Sequence, residues 1–295
     1  MSQVAPILVT GVSGQVGHEL LRALAPLGAV RGVDRQTLDL LDATAIRRVV
    51  RAVRPRIIVN AAAYTAVDLA ESETGLAHAI NGDAPRILAE EAAALGAGMV
   101  HFSTDYVFDG EATQPYRETD ITAPRCVYGH SKLAGEQAVL ASNSAAIVLR
   151  TSWVYSLRGR NFFLTMQRLA AQQSAISVVD DQIGSPTSAR LLAAIVAVLL
   201  ARLRLSPEQL YEYRGIYHVA CSGATSWYQF AMAIVGAEGS SKIAPMPTSA
   251  YPTAARRPAY SVLDCSRLCE KFELLMPSWL DTLALTLADQ RALGA

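Results

Sequence analysis

Lysine is scarce in this chain, occurring only at 132, 242 and 271 against 23 arginines. One of the three stands four residues after a tyrosine, Tyr128 in VYGHSKLAGE (127–136). Four residues is about one helical turn, so on a helix phenol and ammonium share a face. That pairing suits proton transfer. A free phenol titrates near pH 10, about three units or ~4 kcal/mol above neutrality. An ammonium about 4 Å away supplies roughly that much at an effective dielectric of about 20. Thr104, closing an apolar run, can hydrogen-bond the same oxygen. Tyr128, Lys132 and Thr104 are therefore the catalytic candidates.

A second pattern lies near the start. VTGVSGQVG carries Gly11, Gly14 and Gly17 in GxxGxxG spacing between an apolar strand and a helical stretch. Backbone without side chains can approach a pyrophosphate there, and the helix N-terminus meets its charge. Asp34 follows Gly14 by 20 residues, where an acid reaches the adenosine ribose. Arg35 comes next and could neutralise a 2′-phosphate. The two residues favour NAD and NADP respectively, so NADH and NADPH both stay open. Without such a setting, YxxxK is commonly a surface pair on an amphipathic helix, and the glycines a plain tight turn.

The elements that must position these residues alternate regularly. Strands are expected at 6–11, 29–34, 56–62, 99–104 and 146–154. Helices are expected at 15–27, 43–53, 75–95 and 128–141. Continuous apolar strands alternating with helices predict an α/β fold, a Rossmann-like doubly wound parallel sheet covered on both faces. Ligands of such sheets bind beyond the carboxyl ends of the strands, which is where Gly11, Asp34, Ala61–Ala63 and Thr104 fall. After residue 154 the pattern loosens. A helix is expected at 161–173, a short strand and loop at 176–187, a long helix at 187–204, a strand at 217–220, and a helix begun by Ser226. A Pro-rich stretch runs over 244–258. The resulting division is a dinucleotide-binding domain over 1–154, with elements returning from about 187–220. A smaller C-terminal substrate-binding lobe takes 155–186 and 221–295.

Composition narrows the class. At 295 residues, 51% hydrophobic and 18% charged, the chain can bury a large core. A net charge of zero, with no basic run beyond Arg256-Arg257, argues against nucleic acid as a partner. The N-terminal run MSQVAPILVTG lacks a basic segment followed by a long apolar one, so no signal peptide is expected. The apolar run 191–201 is too short to span a bilayer, so no membrane is expected and the location is read as cytoplasmic. Cys126, Cys221, Cys265 and Cys269 lack metal-ligand spacing and read as reduced thiols. His101, in an apolar run, reads as structural. Asp180 and Asp181 read as hydrogen-bonding the loop through Gly184 rather than as an acid pair. Arg256 and Arg257 either pair with a diphosphate or face solvent.

With GxxGxxG and YxxxK together, the chain resembles the extended short-chain dehydrogenase/reductases that act on nucleotide sugars. Longer strings are more specific. IIVNAAAYTAVDLAE, FSTDYVFDG, LRTSWVY, NFFLTM, VVDDQIGSPT, YHVACSGATSW and YPTAARRPAYSVLD resemble the dTDP-4-dehydrorhamnose reductase family, in order from about residue 6 to 280. The resemblance implies NADPH- or NADH-dependent reduction of the C4 ketone of dTDP-4-dehydro-L-rhamnose, the last step of dTDP-rhamnose formation. It implies that Gly14, Gln15, Val16 and Gly17 hold the pyrophosphate. Asp34, Asp39 and Leu40 would meet the adenosine side, and Ala61, Ala62 and Ala63 would line the cofactor. Thr104 and Asp105 would hold the sugar, with Trp153 packed against it. Sugar-nucleotide 4,6-dehydratases carry Asp-Glu after the Thr. Here the string is Thr104-Asp105-Tyr106, so dehydration lacks its base. Some relatives are magnesium-dependent or metal-bridged dimers. The resemblance alone admits Mg²⁺ and a homodimer, whereas Arg190 stands where an acid would have helped. Two alternatives remain: a non-catalytic regulatory subunit like the β subunit of methionine adenosyltransferase, and a reductase of another 4-keto nucleotide sugar.

Overall fold

The computed structural model describes residues 5–142, 145–236 and 242–293. The first four residues of the N-terminal run lie outside them. Six strands form one parallel sheet: β1 (Ile7–Thr10), β2 (Val30–Val33), β3 (Ile57–Asn60), β4 (Gly98–Thr104), β5 (Ala145–Thr151) and β6 (Gly215–His218). Their order across the sheet is β2-β1-β3-β4-β5-β6. The order reverses between β1 and β3, and a crevice opens at such a point beyond the strand ends.

The strands are apolar on both faces because both faces are covered. Ile7, Val9, Ile57, Val59, Val100, Ile147 and Leu149 pack one way, against the helices Gln15–Ala23 and Ala189–Arg202. Leu8, Ile58, Met99, Ala146 and Val148 point the other way, toward Ala43–Val53 and Ala84–Leu95. Each such side chain contributes about 1.5–3 kcal/mol when fully buried. Asp42 starts its helix by accepting the Ala45 amide at 2.9 Å. Gly96, at φ 66°, ends the Ala84–Leu95 helix in the left-handed region.

Three expectations change. The helix anticipated over 75–95 is two α segments joined by a π turn at Ala79–Asp83. The reason is Asn81, whose side chain accepts the Tyr64 amide at 2.8 Å and donates to the Tyr64 carbonyl at 3.0 Å. The turn thus fixes the loop that follows β3. The helix anticipated over 15–27 ends at Ala23 and tightens into a 3₁₀ turn, Ala25–Leu27, at Pro26. The Pro-rich stretch contains most of a strand, Lys242–Met246, paired in parallel with Ala175–Val179. Pro245 is tolerated because this is a two-stranded ribbon with a free edge.

The C-terminal half is not a separate layer. β6 hydrogen-bonds to β5, and the Ala189–Arg202 helix covers the main sheet. Around it, Tyr155, Phe163, Met166, Ile176, Phe230 and Leu283 form a smaller core. Ser226 begins its helix in a capping box with Gln229.

Candidate active site

A cleft of about 560 Å³ opens beyond the carboxyl ends of β1, β2, β3 and β4. Most of the sequence residues converge on it, whereas Gly17, Thr104, Asp105 and Trp153 do not line it. Gly11, Gly14, Gln15 and Val16 form its floor, and Asp34, Arg35, Asp39 and Leu40 one end. Ala61, Ala62 and Ala63 form a wall, and Tyr128 with Lys132 closes the other end.

The glycines divide the work. Gly11 has φ 72°, and a Cβ there would lie 2.7 Å from the Ala62 backbone. A Cβ on Gly17 would lie 2.2 Å from the Gly11 carbonyl oxygen, so this glycine lies beneath the cleft and seats the helix on the turn. Gly14 is different: it has an ordinary φ of −78° at the helix N-cap, with no side-chain cap on the helix amides. Bare amides at a helix N-terminus, reachable from a cleft of this size, fit a dinucleotide pyrophosphate.

Asp34 builds its own turn. Its Oδ1 accepts from the Gln36 and Thr37 amides at 3.1 Å and the Thr37 hydroxyl at 3.0 Å. These bonds, Thr37 foremost, hold the carboxyl below its usual pKa. Asp39 similarly accepts the Leu41 amide at 3.0 Å.

At the other end, Tyr128 and Lys132 lie on the helix Val127–Ala141, capped by Cys126, whose sulfur accepts the Gly129 amide. The Lys132 ammonium donates to the Phe102 carbonyl at 2.6 Å. Burial lowers its pKa to about 8, partly offset by the Glu136 carboxylate. Burial also raises the Tyr128 pKa, with hydrogen bonding to Thr104 offsetting part of the rise. The acidic phenol expected from the YxxxK spacing is therefore not what the chain alone provides. Desolvation outweighs that hydrogen bond, and the phenol holds its proton at neutral pH. Tyr106 meets the Tyr128 ring edge-on at 5.5 Å.

Thr104 and Asp105 are buried at the end of β4, and the threonine hydroxyl donates to Asp105 Oδ1 at 3.0 Å. Burial raises the Asp105 pKa to about 6. Trp153 does not line the cleft. Its backbone is left-handed at φ 46°, and its indole stacks on Trp227 at 3.4 Å between centroids. It also passes so close to Gly184 that a Cβ there would lie 2.4 Å from the ring.

Several residues carried no sequence signal. Gly159 and Arg160 reach the cleft from the turn after Tyr155. That turn is pinned to the helix start, because Gln15 Oε1 accepts from Ser156 Oγ at 2.9 Å and Asn161 Nδ2 at 3.0 Å. The Gln15 side-chain oxygen is thus committed to the turn. Thr10, Phe102, Ser103, Thr151 and Val154 also line the cleft. Alternation of strand side chains could have singled out Thr10 and Ser103 as polar interruptions, but nothing in the spacing points to Arg160.

The remaining candidates are held by other side chains. Arg257 donates to Asp68 at 2.7 Å and to the Tyr106 hydroxyl at 3.3 Å, and Arg256 pairs with Glu111 at 3.3 Å. Both line a second cavity of about 380 Å³. Asp180 accepts from the Ser226 hydroxyl and Asp181 from Thr248, so each ties a loop in place. His101 is buried against Asn60. Among the described residues, no group of three or more His, Cys, Asp or Glu could hold a metal. Arg190 pairs with Glu19 and Asp289. A guanidinium already satisfies those carboxylates, so the residues do not fit Mg²⁺ at that position. No helix among the described residues is long and apolar enough to cross a membrane.

Sheet order, glycine turn and the Tyr128–Lys132 pair together define a Rossmann-like oxidoreductase of the extended short-chain dehydrogenase/reductase type, built for a nicotinamide dinucleotide. The chain belongs to the family described as RmlD substrate binding domain, which matches residues 5–292. A dTDP-4-dehydrorhamnose reductase of Burkholderia thailandensis is 44% identical over 292 residues, covering 96% of this chain and 98% of that one. A dTDP-4-dehydrorhamnose reductase of Escherichia coli K12 is 44% identical, covering 92% and 94%. The crystal structure of the Bacillus anthracis dTDP-4-dehydrorhamnose reductase, in complex with NADP, superposes with a TM-score of 0.89 at 38% identity, covering 97% and 99%.

Proposed function

We propose that this chain reduces the C4 ketone of dTDP-4-dehydro-L-rhamnose to the alcohol of dTDP-L-rhamnose. The observation that carries the reading is one cleft that gathers the glycine turn, Asp34 with Arg35, and Tyr128 with Lys132. When bound, the dihydronicotinamide supplies a hydride to the ketone carbon. The chain's own residues do the rest. Gly14 and the following amides hold the pyrophosphate. Arg35 admits the 2′-phosphate of NADPH, and Asp34 the free hydroxyl of NADH. Tyr128, protonated at neutral pH, delivers its proton to the oxygen as the carbonyl bond becomes an alkoxide. Thr104 hydrogen-bonds that oxygen, and Lys132 stabilises the phenolate left behind.

Thr104 and Asp105 take the sugar. The second cavity, lined by Arg256 and Arg257, takes the nucleotide diphosphate. In this reading the reaction is cytoplasmic, which the four free thiols and the nucleotide substrates support. The test is consumption of NADPH or NADH by the pure chain with the dTDP-4-keto sugar, with NMR of the product. No turnover with either cofactor rules the reading out. Turnover of only a different 4-keto nucleotide sugar keeps the reductase and replaces the substrate.

A further inference from the structure

Tyr128 and Lys132 begin a stripe that the reaction does not exhaust. One turn further along the same helix face is Glu136, nearly fully buried. Its carboxylate is tightly held. Oε1 accepts from the Ser103 hydroxyl at 2.5 Å and Arg150 Nε at 2.9 Å, and Oε2 accepts from Arg150 Nη2 at 2.7 Å. The guanidinium is as deeply buried as its partner and lies 5.0 Å from the centre of the Phe108 ring. Two consecutive β4 residues therefore dock this helix face: Phe102 holds Lys132 through its carbonyl, and Ser103 holds Glu136.

A buried ion pair of this kind is seldom the most stable way to fill a core, since well-packed apolar side chains often do as well or better. It does place a fixed negative charge one turn from an ammonium that the cleft desolvates. We propose that Glu136, locked by Arg150 and Ser103, is a positioning residue that keeps Lys132 cationic and aimed into the active-site cleft. Glu136 is the charge that favours the Lys132 ammonium against burial. The other titratable and charged groups around Lys132 are Tyr128 on its own helix, His101 on β4 and Arg150 on β5. Burial and the Lys132 charge keep the His101 pKa well below its ordinary value, so it stays neutral. The Ala79–Asp83 turn packed on the helix offers Ser131 the neutral Asn81 amide. Arg150 in turn holds both carboxylate oxygens, at 2.9 and 2.7 Å.

The inference rests on the reductase reading for its purpose, but its test does not need the substrate. With three lysines in the chain, isotopic labelling at Cε gives three NMR signals, assigned by Lys242→Arg and Lys271→Arg. Glu136→Gln alone leaves Arg150 as an unpaired buried charge and costs stability. The double variant Glu136→Gln/Arg150→Met removes both charges. In that variant the Lys132 titration midpoint falls by about one pH unit or more, and the alkaline limb of kcat/KM moves down with it. Glu136→Asp, which keeps the charge, stays at the wild-type midpoint. An unchanged midpoint in the folded double variant, or a Glu136→Asp midpoint as low as that of the double variant, overturns the proposal. A wild-type chain that never turns over the keto sugar sinks the reductase reading and leaves the titration result standing.

Discussion

Replacing Gly11 by alanine separates the part of the glycine motif that folds the turn from the part that faces the cofactor. The residue sits at φ 72°, where an L side chain costs about 1–2 kcal/mol. The new Cβ would also lie 2.7 Å from Ala62 Cα and N and 3.0 Å from the Ala61 carbonyl carbon. Those are backbone atoms of the loop after β3, so relief requires moving the loop. Overpacking of that kind costs about 1–3 kcal/mol. Together the two effects destabilise the chain by about 2–5 kcal/mol, a large share of the ~5–15 kcal/mol typical of a domain. The atoms that must move are also the cofactor wall, so the KM for NADPH rises in whatever remains folded. Gly14→Ala is the control. Its φ is ordinary and its nearest neighbour is the Gly11 oxygen at 3.2 Å, so stability changes by about 1 kcal/mol or less while dinucleotide affinity falls. Urea unfolding read by circular dichroism, beside fluorescence titration with NADPH, measures both. A Gly11→Ala chain within about 1 kcal/mol of wild type, or a Gly14→Ala chain as unstable as Gly11→Ala, would refute this division of roles.

Tyr128→Phe keeps the ring beside Tyr106 but removes the proton, so kcat falls at least about 100-fold while dinucleotide affinity is retained. Stopped assays with saturating NADPH show whether turnover survives. The ammonium is the working form of Lys132, and burial brings its pKa down to about 8. The free-enzyme kcat/KM is therefore level below that pH and declines as pH rises through it, and a profile flat to pH 10 contradicts the assignment. Arg35→Ala raises the KM for NADPH about tenfold, the scale of one charge-assisted hydrogen bond, and leaves NADH nearly unchanged. Equal losses for both cofactors would remove Arg35 from the 2′ position.

The sheet and the cleft's floor were legible because both depend on local pattern. Apolar runs such as Ile57–Asn60, bounded by helical stretches, have one stable solution, and Gly11 and Gly17 each answer a steric demand that no other residue meets. The cleft's roof was not legible. Arg160 arrives there only because Ser156 and Asn161 grip Gln15 from more than a hundred residues away, a pairing no spacing reveals. The desolvation of the Tyr128–Lys132 pair was not legible for a related reason. Helical spacing tells that two groups share a face, but desolvation depends on how β4 and the surrounding helices close over them. Trp153 illustrates the same limit: its neighbour Trp227 and the room left by Gly184 are set by tertiary packing.

The placement of β6 has a consequence for the nascent chain. All seven residues of β5 are buried, yet the neighbour that covers its edge begins at Gly215, after the long stretch from Thr151. At roughly 5–20 residues per second, a ribosome needs several seconds to make that stretch. During that interval Ala145–Thr151 offers an unpaired apolar edge of the kind that recruits other strands. Synthesis therefore carries a window of self-association that the finished molecule no longer has, and slowing translation across 152–214 would widen it.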